Sequence, residues 1–190
     1  MAKSTFYNLK ADKKNKLVSV LKRLFQEKPL QEVTVKEIVD ELNIARGSFY
    51  QYFEDLEDAY FTILNEETTD IHALFINLLQ KDSGELEKAL KDYGDMLSEI
   101  LFKDEVYSIY KNRFLYWNES LDRRWKEEYK DHDQIFMDSK TRNFKDIEKM
   151  HYLKGVVHML IKRNFQEHWS QKEFKERYAL HVHWTMKGVR

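Results

Sequence analysis

The stretch Thr34-Val-Lys-Glu-Ile-Val-Asp-Glu-Leu-Asn-Ile-Ala-Arg-Gly-Ser-Phe-Tyr-Gln-Tyr-Phe53 decides the fold that this sequence predicts. It opens with a capping box, in which the Thr34 hydroxyl accepts from the Glu37 amide and the Glu37 carboxylate accepts from the Thr34 amide. Apolar residues then recur at helical spacing up to Leu42, and Asn43 stands where a left-handed helix cap is expected. A second short helix follows the turn. The stretch therefore predicts the helix-turn-helix arrangement.

Helical periodicity continues on both sides of this stretch. We predict helices over residues 10–27, 34–42, 45–52, 55–80, 85–102, 104–130, 142–166 and 170–186. The last of them begins with a further capping box, formed by Ser170 and Glu173. Five glycines and one proline are too few for the many turns of a β-sandwich or barrel, so we expect an all-α protein.

Charge is distributed unevenly along the chain. Residues 1–53 contain ten Lys/Arg and six Asp/Glu, a net charge of +4, whereas residues 54–190 have a net charge of −5. This distribution indicates that an anionic partner would meet only the N-terminal part. Chance variation over so short a segment is the alternative explanation.

Several classes of protein are excluded or disfavoured. The chain has no cysteine, which excludes a disulfide scaffold, a thiolate metal site and cysteine catalysis. The first residues lack the apolar core of an export signal, and no apolar stretch approaches the ~20 residues that span a bilayer. We therefore expect a soluble, cytoplasmic protein. No catalytic motif and no zinc-binding spacing is recognisable, so we expect no enzyme, no metal site and no cofactor.

The helix-turn-helix stretch resembles the DNA-binding segment of the tetracycline-repressor-like (TetR/AcrR) family. The resemblance covers roughly residues 10–60 and is strongest over residues 46–53, where the aromatic pair Tyr50 and Tyr52 is followed by Phe53. Three positions depart from the family pattern. Pro29 and Asn43 stand where glycines are common, and Leu56 replaces a lysine that typically contacts a phosphate. Phosphate binding must therefore rely more on other groups.

The resemblance implies both an architecture and a function. It implies an N-terminal three-helix DNA-binding domain over residues 1–54, here called the head. A larger helical domain for ligand binding and dimerisation would follow over residues 55–190, here called the body. We expect a transcription regulator, a repressor, that binds palindromic operator DNA as a homodimer and is released by a small-molecule effector. A body that docks a partner protein instead of a small ligand is the alternative.

Candidate DNA contacts lie on the predicted helix 45–52 and at the start of helix 34–42. Arg46 can donate two hydrogen bonds to O6 and N7 of guanine. Gly47 is a poor helix residue, which either close approach of the backbone to DNA or an irregular helix start would explain. The full set of predicted contacts is Thr34, Arg46, Gly47, Ser48, Tyr50, Gln51 and Tyr52. Structural roles are the alternatives: capping for Thr34 and Ser48, and core packing for Tyr52.

Two side-chain orientations and an N-terminal arm complete the predicted DNA interface. Because Phe49 and Phe53 occupy the inward side of the helix, we expect Tyr50 and Tyr52 to be exposed and able to donate to phosphates. An N-terminal arm would add salt-sensitive contacts to DNA through Lys3, Lys10 and Lys13. A disordered, solvated arm is the alternative.

The body contains candidate ligand-binding and dimer residues. A stripe of aromatic residues at helical spacing, predicted to lie on one long or lightly kinked helix over residues 104–130, can line a pocket for an apolar or aromatic ligand. Its residues are Tyr107, Tyr110, Phe114, Trp117 and Trp125; ordinary core is the alternative. The last two helices are expected to pair across a two-fold axis in a four-helix bundle. The predicted seam consists of Val157, Leu160, Ile161, Phe165, Val182 and Trp184.

Overall fold

The computed structural model describes residues 1–81, 85–129 and 144–188, apart from the side chains of residues 67–73, 105 and 144–147. Within these ranges every regular element is helical, which confirms the all-α prediction. The α-helices are α1 (Ser4–Tyr7), α2 (Ala11–Glu27), α3 (Val35–Leu42), α4 (Arg46–Tyr52), α5 (Leu56–Lys81), α6 (Leu86–Leu101), α7 (Asp104–Tyr116), α8 (Glu119–Glu128), α9 (Phe144–Glu167) and α10 (Gln171–Lys187). A 3₁₀ turn, Leu30–Glu32, lies between α2 and α3. The predicted start of a helix at residue 142 lies outside the described residues.

The chain forms two compact units. The first unit comprises Met1–Thr68 and Ser108–Tyr129, and the second comprises Thr69–Tyr107 and Lys130–Arg190. Helices α5 and α7 therefore contribute residues to both units. The functional division into residues 1–54 and 55–190 stays a prediction. In the part of the chain that the structure describes, no helix is both long and apolar enough to cross a membrane.

Local sequence signals account for the start of α3, the end of α3 and the start of α10. The Thr34 hydroxyl accepts from the Glu37 amide at 3.2 Å, and the Thr34 amide donates to the Glu37 carboxylate at 2.9 Å. Ser170 and Glu173 form the same reciprocal pair at the start of α10. Asn43 adopts the left-handed conformation after α3, with φ 53° and ψ 51°. These pairs satisfy amides that a helix start would otherwise leave without partners.

The first unit has an aromatic and aliphatic core. Phe49 of α4 and Phe53, just after it, are fully buried, and their ring centroids lie 5.3 Å apart. Phe6 of α1, a helix that the periodicity did not predict, is also fully buried and lies 5.2 Å from Phe53. Ile38 anchors α3 in the same core. Buried side chains of α1, α3 and α4, together with Phe53, thus contribute to the core of this unit.

The prediction of one helix over residues 104–130 is wrong, because the chain breaks between Tyr116 and Glu119. Asn118 is extended, with φ −126° and ψ 172°, and its side chain accepts from the Leu121 amide at 3.0 Å. Asparagine is among the best N-cap residues, so a new helix begins at this position. The aromatic spacing continues across the break and therefore gave no sign of it.

In the second unit, α6 and α10 lie in close contact. The Tyr178 hydroxyl donates to the Leu90 carbonyl at 3.0 Å, and a Cβ atom at Gly94 would collide with the Tyr178 ring. Glycine at this position lets the two helices approach. The core around them includes Leu97 and Phe174, both fully buried.

Candidate nucleic-acid interface

One side of α4 presents a polar surface to solvent. Arg46, Gly47, Tyr50 and Gln51 are exposed, and Ser48 is half-buried. The Arg46 guanidinium lies 3.4 Å from the Tyr50 hydroxyl, so two of the predicted contacts are neighbours on this surface. Here the structure agrees with the orientations expected from the sequence. That these side chains contact DNA stays a prediction.

The expectation that Tyr52 is exposed is wrong. Only 5% of the residue is accessible, and Lys13 Nζ lies 5.6 Å from its ring centroid. The expectation assumed that Phe49 and Phe53 lie on one side of a continuous helix. Phe53 is instead extended, with φ −131° and ψ 152°, because α4 ends at Tyr52, so that helical spacing does not apply. Tyr52 lines a cavity together with Leu17 and Ile44. This burial supports the alternative of core packing.

The turn before α4 sets the direction of that helix. The Ile44 amide donates to the Val39 carbonyl at 3.0 Å, and the Asn43 amide donates to the Asp40 carbonyl at 3.2 Å. Together with the left-handed Asn43, these bonds close the end of α3 as a glycine cap would. The replacement of glycine by asparagine is therefore accommodated without loss of the turn.

Thr34 is exposed, but its side chain is engaged in the capping box. The hydroxyl lies 3.0 Å from the Glu37 carboxylate, which also forms an ion pair with Lys28. Hydrogen bonds from Lys28 and then Thr34 lower the pKa of Glu37, so this position holds a negative charge at neutral pH. The structure thus shows the capping role, and a phosphate contact by Thr34 stays a prediction.

Lys3 and Thr5, near the N-terminus, donate hydrogen bonds to the end of α4, a role that the sequence did not predict. The Lys3 amide donates to the Tyr52 carbonyl at 2.8 Å, and Lys3 Nζ donates to the Tyr50 carbonyl at 2.9 Å. The Thr5 hydroxyl donates to the Gln51 carbonyl. Three carbonyls at the helix end therefore have partners. Lys3 therefore has a structural role at the end of α4, and a contact of its exposed side chain with DNA stays a prediction.

Exposed lysines occur at the start of α2, along α2 and on α3. Lys10, Lys13, Lys16 and Lys36 are exposed. Among the described residues none of them forms an ion pair, in contrast to Arg23, whose guanidinium contacts Glu27 at 2.6 Å. That these lysines contact phosphates, in place of the lysine that Leu56 replaces, stays a prediction.

The aromatic stripe is divided between the two units. Tyr107 lies in the second unit, where its ring centroid is 5.1 Å from that of Phe165. The other four residues lie in the first unit: Tyr110 is buried, and Trp117 and Trp125 form an aromatic cluster with Phe61 and Tyr129. A ligand pocket lined by the stripe stays a prediction.

A cavity of ≈ 40 Å³ in the second unit is lined by other residues. Its walls are mainly apolar side chains of α5, α6 and α9, with Lys154 and His158 as polar lining. His151, seven residues before His158 on α9, is exposed. The described residues contain no group of three or more His, Asp or Glu side chains that could hold a metal ion.

The predicted dimer seam requires a correction. Leu160, Ile161, Phe165 and Val182 are buried inside the protomer's own core, so they have almost no surface for a partner. Val157 and Trp184 are half-buried. Among the described side chains of α9 and α10, the large apolar ones that are exposed are instead Tyr152 (57%), Met159 (37%) and Leu180 (45%). Which residues form an interface between two copies stays a prediction.

The chain is similar to known bacterial regulators over most of its length. Residues 17–58 match the family described as "Bacterial regulatory proteins, tetR family", and residues 86–188 match "Tetracyclin repressor, C-terminal domain". No curated protein sequence matches the chain.

Solved structures support the same fold. A transcriptional regulator (TerR/AcrR family) from Aquifex aeolicus VF5 is 22% identical, with a TM-score of 0.55 over 90% of this chain and 97% of that one. A TetR transcriptional regulator from Rhodococcus sp. RHA1 is 12% identical, with a TM-score of 0.60 over 94% and 97%. A tetR-family transcriptional regulator from Streptomyces coelicolor is 14% identical, with a TM-score of 0.61 over 94% and 82%. Because the C-terminal family match alone covers more than half of the residues, the chain belongs to the TetR family of DNA-binding transcriptional regulators.

Proposed function

We propose that this chain is a repressor that binds palindromic operator DNA as a homodimer and is released by a small-molecule effector. The observation that carries the proposal is the exposed side of α4, which begins with Arg46 and Gly47 and is clamped at its end by Lys3 and Thr5. A short, rigidly held helix with an arginine at its start suits the major groove.

Gly47 gives the proposal its sharpest support. A Cβ atom built at this position meets no atom within 4 Å, so packing within the protomer does not require glycine. Glycine inside a helix costs roughly 1 kcal/mol relative to alanine. A surface that approaches the α4 backbone from outside the protomer explains why a side chain is lacking here. We propose that this surface is DNA.

The other predicted contacts have different proposed roles, according to how far each side chain is exposed. Arg46 and Gln51 read base edges, and Tyr50 donates its hydroxyl to a phosphate. Ser48, half-buried, contributes at the edge of the contact area. The buried Tyr52 acts by supporting α4 from the core side.

The proposal requires two copies of the chain, because a seven-residue helix reaches only a few base pairs. On α9, Tyr152, Gly155 and Met159 follow one another at steps of three and four, which places them on one face. On α10, Leu180 and Trp184 are four apart. These exposed or half-exposed residues form the seam that we propose for a four-helix bundle between copies.

The test is selection of bound sequences from a random pool of duplex DNA at low salt. We expect enrichment of a palindrome, bound by two chains, with an affinity that falls steeply as salt is raised. Absence of enrichment for any sequence would refute the assignment of α4 as a DNA reader.

A protein-docking body is the second candidate, because the cavity lined by α5, α6 and α9 is by itself too small for a drug-sized ligand. A volume of ≈ 40 Å³ is far below the roughly 300 Å³ at which ligand pockets begin. Screening small molecules by thermal melting separates the two candidates. A compound that raises the melting temperature and also releases DNA supports the effector, whereas release of DNA only by a protein partner supports docking.

A further inference from the structure

Arg113 of α7 is surrounded by aromatic rings of the first unit. Its guanidinium carbon lies 5.4 Å from the ring centroid of Trp117, 5.8 Å from that of Phe114 and 5.9 Å from that of Trp125. All three are cation–π distances. The residue is half-buried, and burial lowers the pKa of its guanidinium, which shows that the surroundings disfavour the charge.

Arg113 lacks the carboxylate partner that such a charge ordinarily has. Among the residues that the structure describes, its guanidinium takes part in no ion pair and no hydrogen bond. Asp122 attracts it only at longer range. The Asp122 carboxylate already contacts Lys126 Nζ at 2.7 Å and accepts from Trp117 Nε1 at 3.4 Å. Charges taken out of water are generally paired, and a half-buried guanidinium whose described contacts are aromatic rings keeps its N–H donors for water or for an anion from outside the chain.

Arg124 of the same unit provides a comparison, because its guanidinium has carboxylate partners within the chain. Its guanidinium also lies over an aromatic ring, 5.8 Å from that of Phe61. It donates to Asp55 at 2.8 Å, to Glu57 at 2.6 Å and to Glu128 at 2.7 Å. Arg124 is therefore fully engaged with carboxylates of its own chain, whereas Arg113 has its donors available.

We propose that Arg113 binds the carboxylate of a planar, apolar small-molecule acid whose body packs against the surrounding rings. A guanidinium fork pairs with a carboxylate through two parallel hydrogen bonds, and the rings supply apolar contact for the rest of the ligand. This inference rests on the proposed function, in which a small molecule acts as effector, and it names the chemical class of that effector.

The position of Arg113 also provides a route to the DNA-binding helices. The neighbouring Asn112 donates from Nδ2 to the Phe25 carbonyl at 3.0 Å and to the Gln26 carbonyl at 3.2 Å. These carbonyls belong to the last turn of α2, a helix of the head. A ligand held at Arg113 therefore acts one residue away from a contact between α7 and the head, so it can bias that contact and change DNA affinity.

Calorimetric titration tests the site. The probes are benzoate, cinnamate and 2-naphthoate, each compared with its neutral amide at about pH 7, where the acids are ionised. We expect at least one acid to bind about tenfold or more tightly than its amide. Arg113→Gln should weaken that acid by about tenfold or more. Arg123→Gln, which removes an exposed arginine of α8, should leave binding of the acid unchanged.

Three results overturn the inference: no acid binds to the wild-type chain, acids and amides bind alike, or a folded Arg113→Gln variant still binds the acid. Thermal melting establishes that the variant is folded. If it is not, Arg113→Lys replaces it, since lysine keeps the charge but loses the planar fork and should also weaken binding.

Operator binding, measured on the same samples, separates this inference from the proposed function. A chain that binds DNA but no acid refutes only the acid site. A chain that binds an acid through Arg113 but no DNA refutes the repressor.

Discussion

Replacing Gly47 by alanine separates the two roles that a glycine can have on α4. The added methyl group meets no atom of the protomer within 4 Å, and Gly47 does not have the positive φ that would strain an alanine. Helix propensity then predicts that Gly47→Ala stabilises the free protein, by about 0.5–1 kcal/mol. The proposed approach of DNA to this backbone predicts the opposite effect on binding.

The expected loss of DNA affinity follows from the cost of overpacking. A methyl group placed in a closely packed contact typically costs about 1–3 kcal/mol, which corresponds to roughly 5- to 150-fold weaker binding. The measurements are thermal unfolding of the free protein and fluorescence anisotropy with a labelled duplex obtained by selection. Both are made on the same preparation, so a gain in stability and a loss of affinity are seen together.

Ser120→Ala provides a matched control. Ser120 is exposed and is the second residue of α8, as Gly47 is of α4, so both changes place alanine at the same helix position. The control should leave DNA affinity unchanged. Unaltered affinity in Gly47→Ala, beside a gain in stability, would refute the close approach of DNA, and a loss of stability would refute the helix-propensity argument.

Three further predictions concern the base contact, the dimer and the acid stability. Arg46→Ala should weaken operator binding by about 1–3 kcal/mol and relax sequence preference at one position of each half-site, which repeated selection would show. Met159→Glu should yield monomers in light scattering and lose palindrome binding, because it buries a charge in the proposed seam, while Met96→Glu on α6 should remain dimeric. Although partial burial raises the pKa of Asp55, the hydrogen bonds from Arg124 and from the backbone amides of Asp58 and Glu57, together with the Arg124 charge, outweigh burial and lower the pKa. The Asp55–Arg124 pair therefore stabilises the fold above about pH 4, and this stabilisation is lost as the pH falls further. Arg124→Gln should therefore destabilise the protein at neutral pH and flatten its acid unfolding profile in this range; an unchanged profile would contradict the pairing.

Local signals in the sequence were sufficient for the helix-turn-helix. The capping box at Thr34 and the left-handed cap at Asn43 depend on neighbouring residues alone, and the structure confirms both. Asn118 is also a favourable helix-capping residue, but the aromatic spacing continues across it and predicted an unbroken helix. Periodicity reports which side of a helix is apolar, and it does not report a break that preserves the spacing.

Tertiary packing determines which apolar positions are buried within the protomer, and the sequence alone does not show this. Periodicity identified Leu160 and Phe165 as apolar positions, but an apolar face that packs inside the protomer has the same spacing as one that packs on a partner. The end of α4 turned Tyr52 inward in a similar way. The sequence alone gives no signal for Arg113, because only the structure shows that it lies among rings and pairs with no carboxylate of the described residues.

The mass of the protein–DNA complex tests the central claim most directly. Light scattering would give the number of chains on a selected palindrome and on a duplex that keeps only one half-site. We expect two chains on the palindrome and a loss of roughly half of the binding free energy on the half-site. A single chain bound to the palindrome, or equal affinity for both duplexes, would contradict a dimer that reads DNA with two copies of α4.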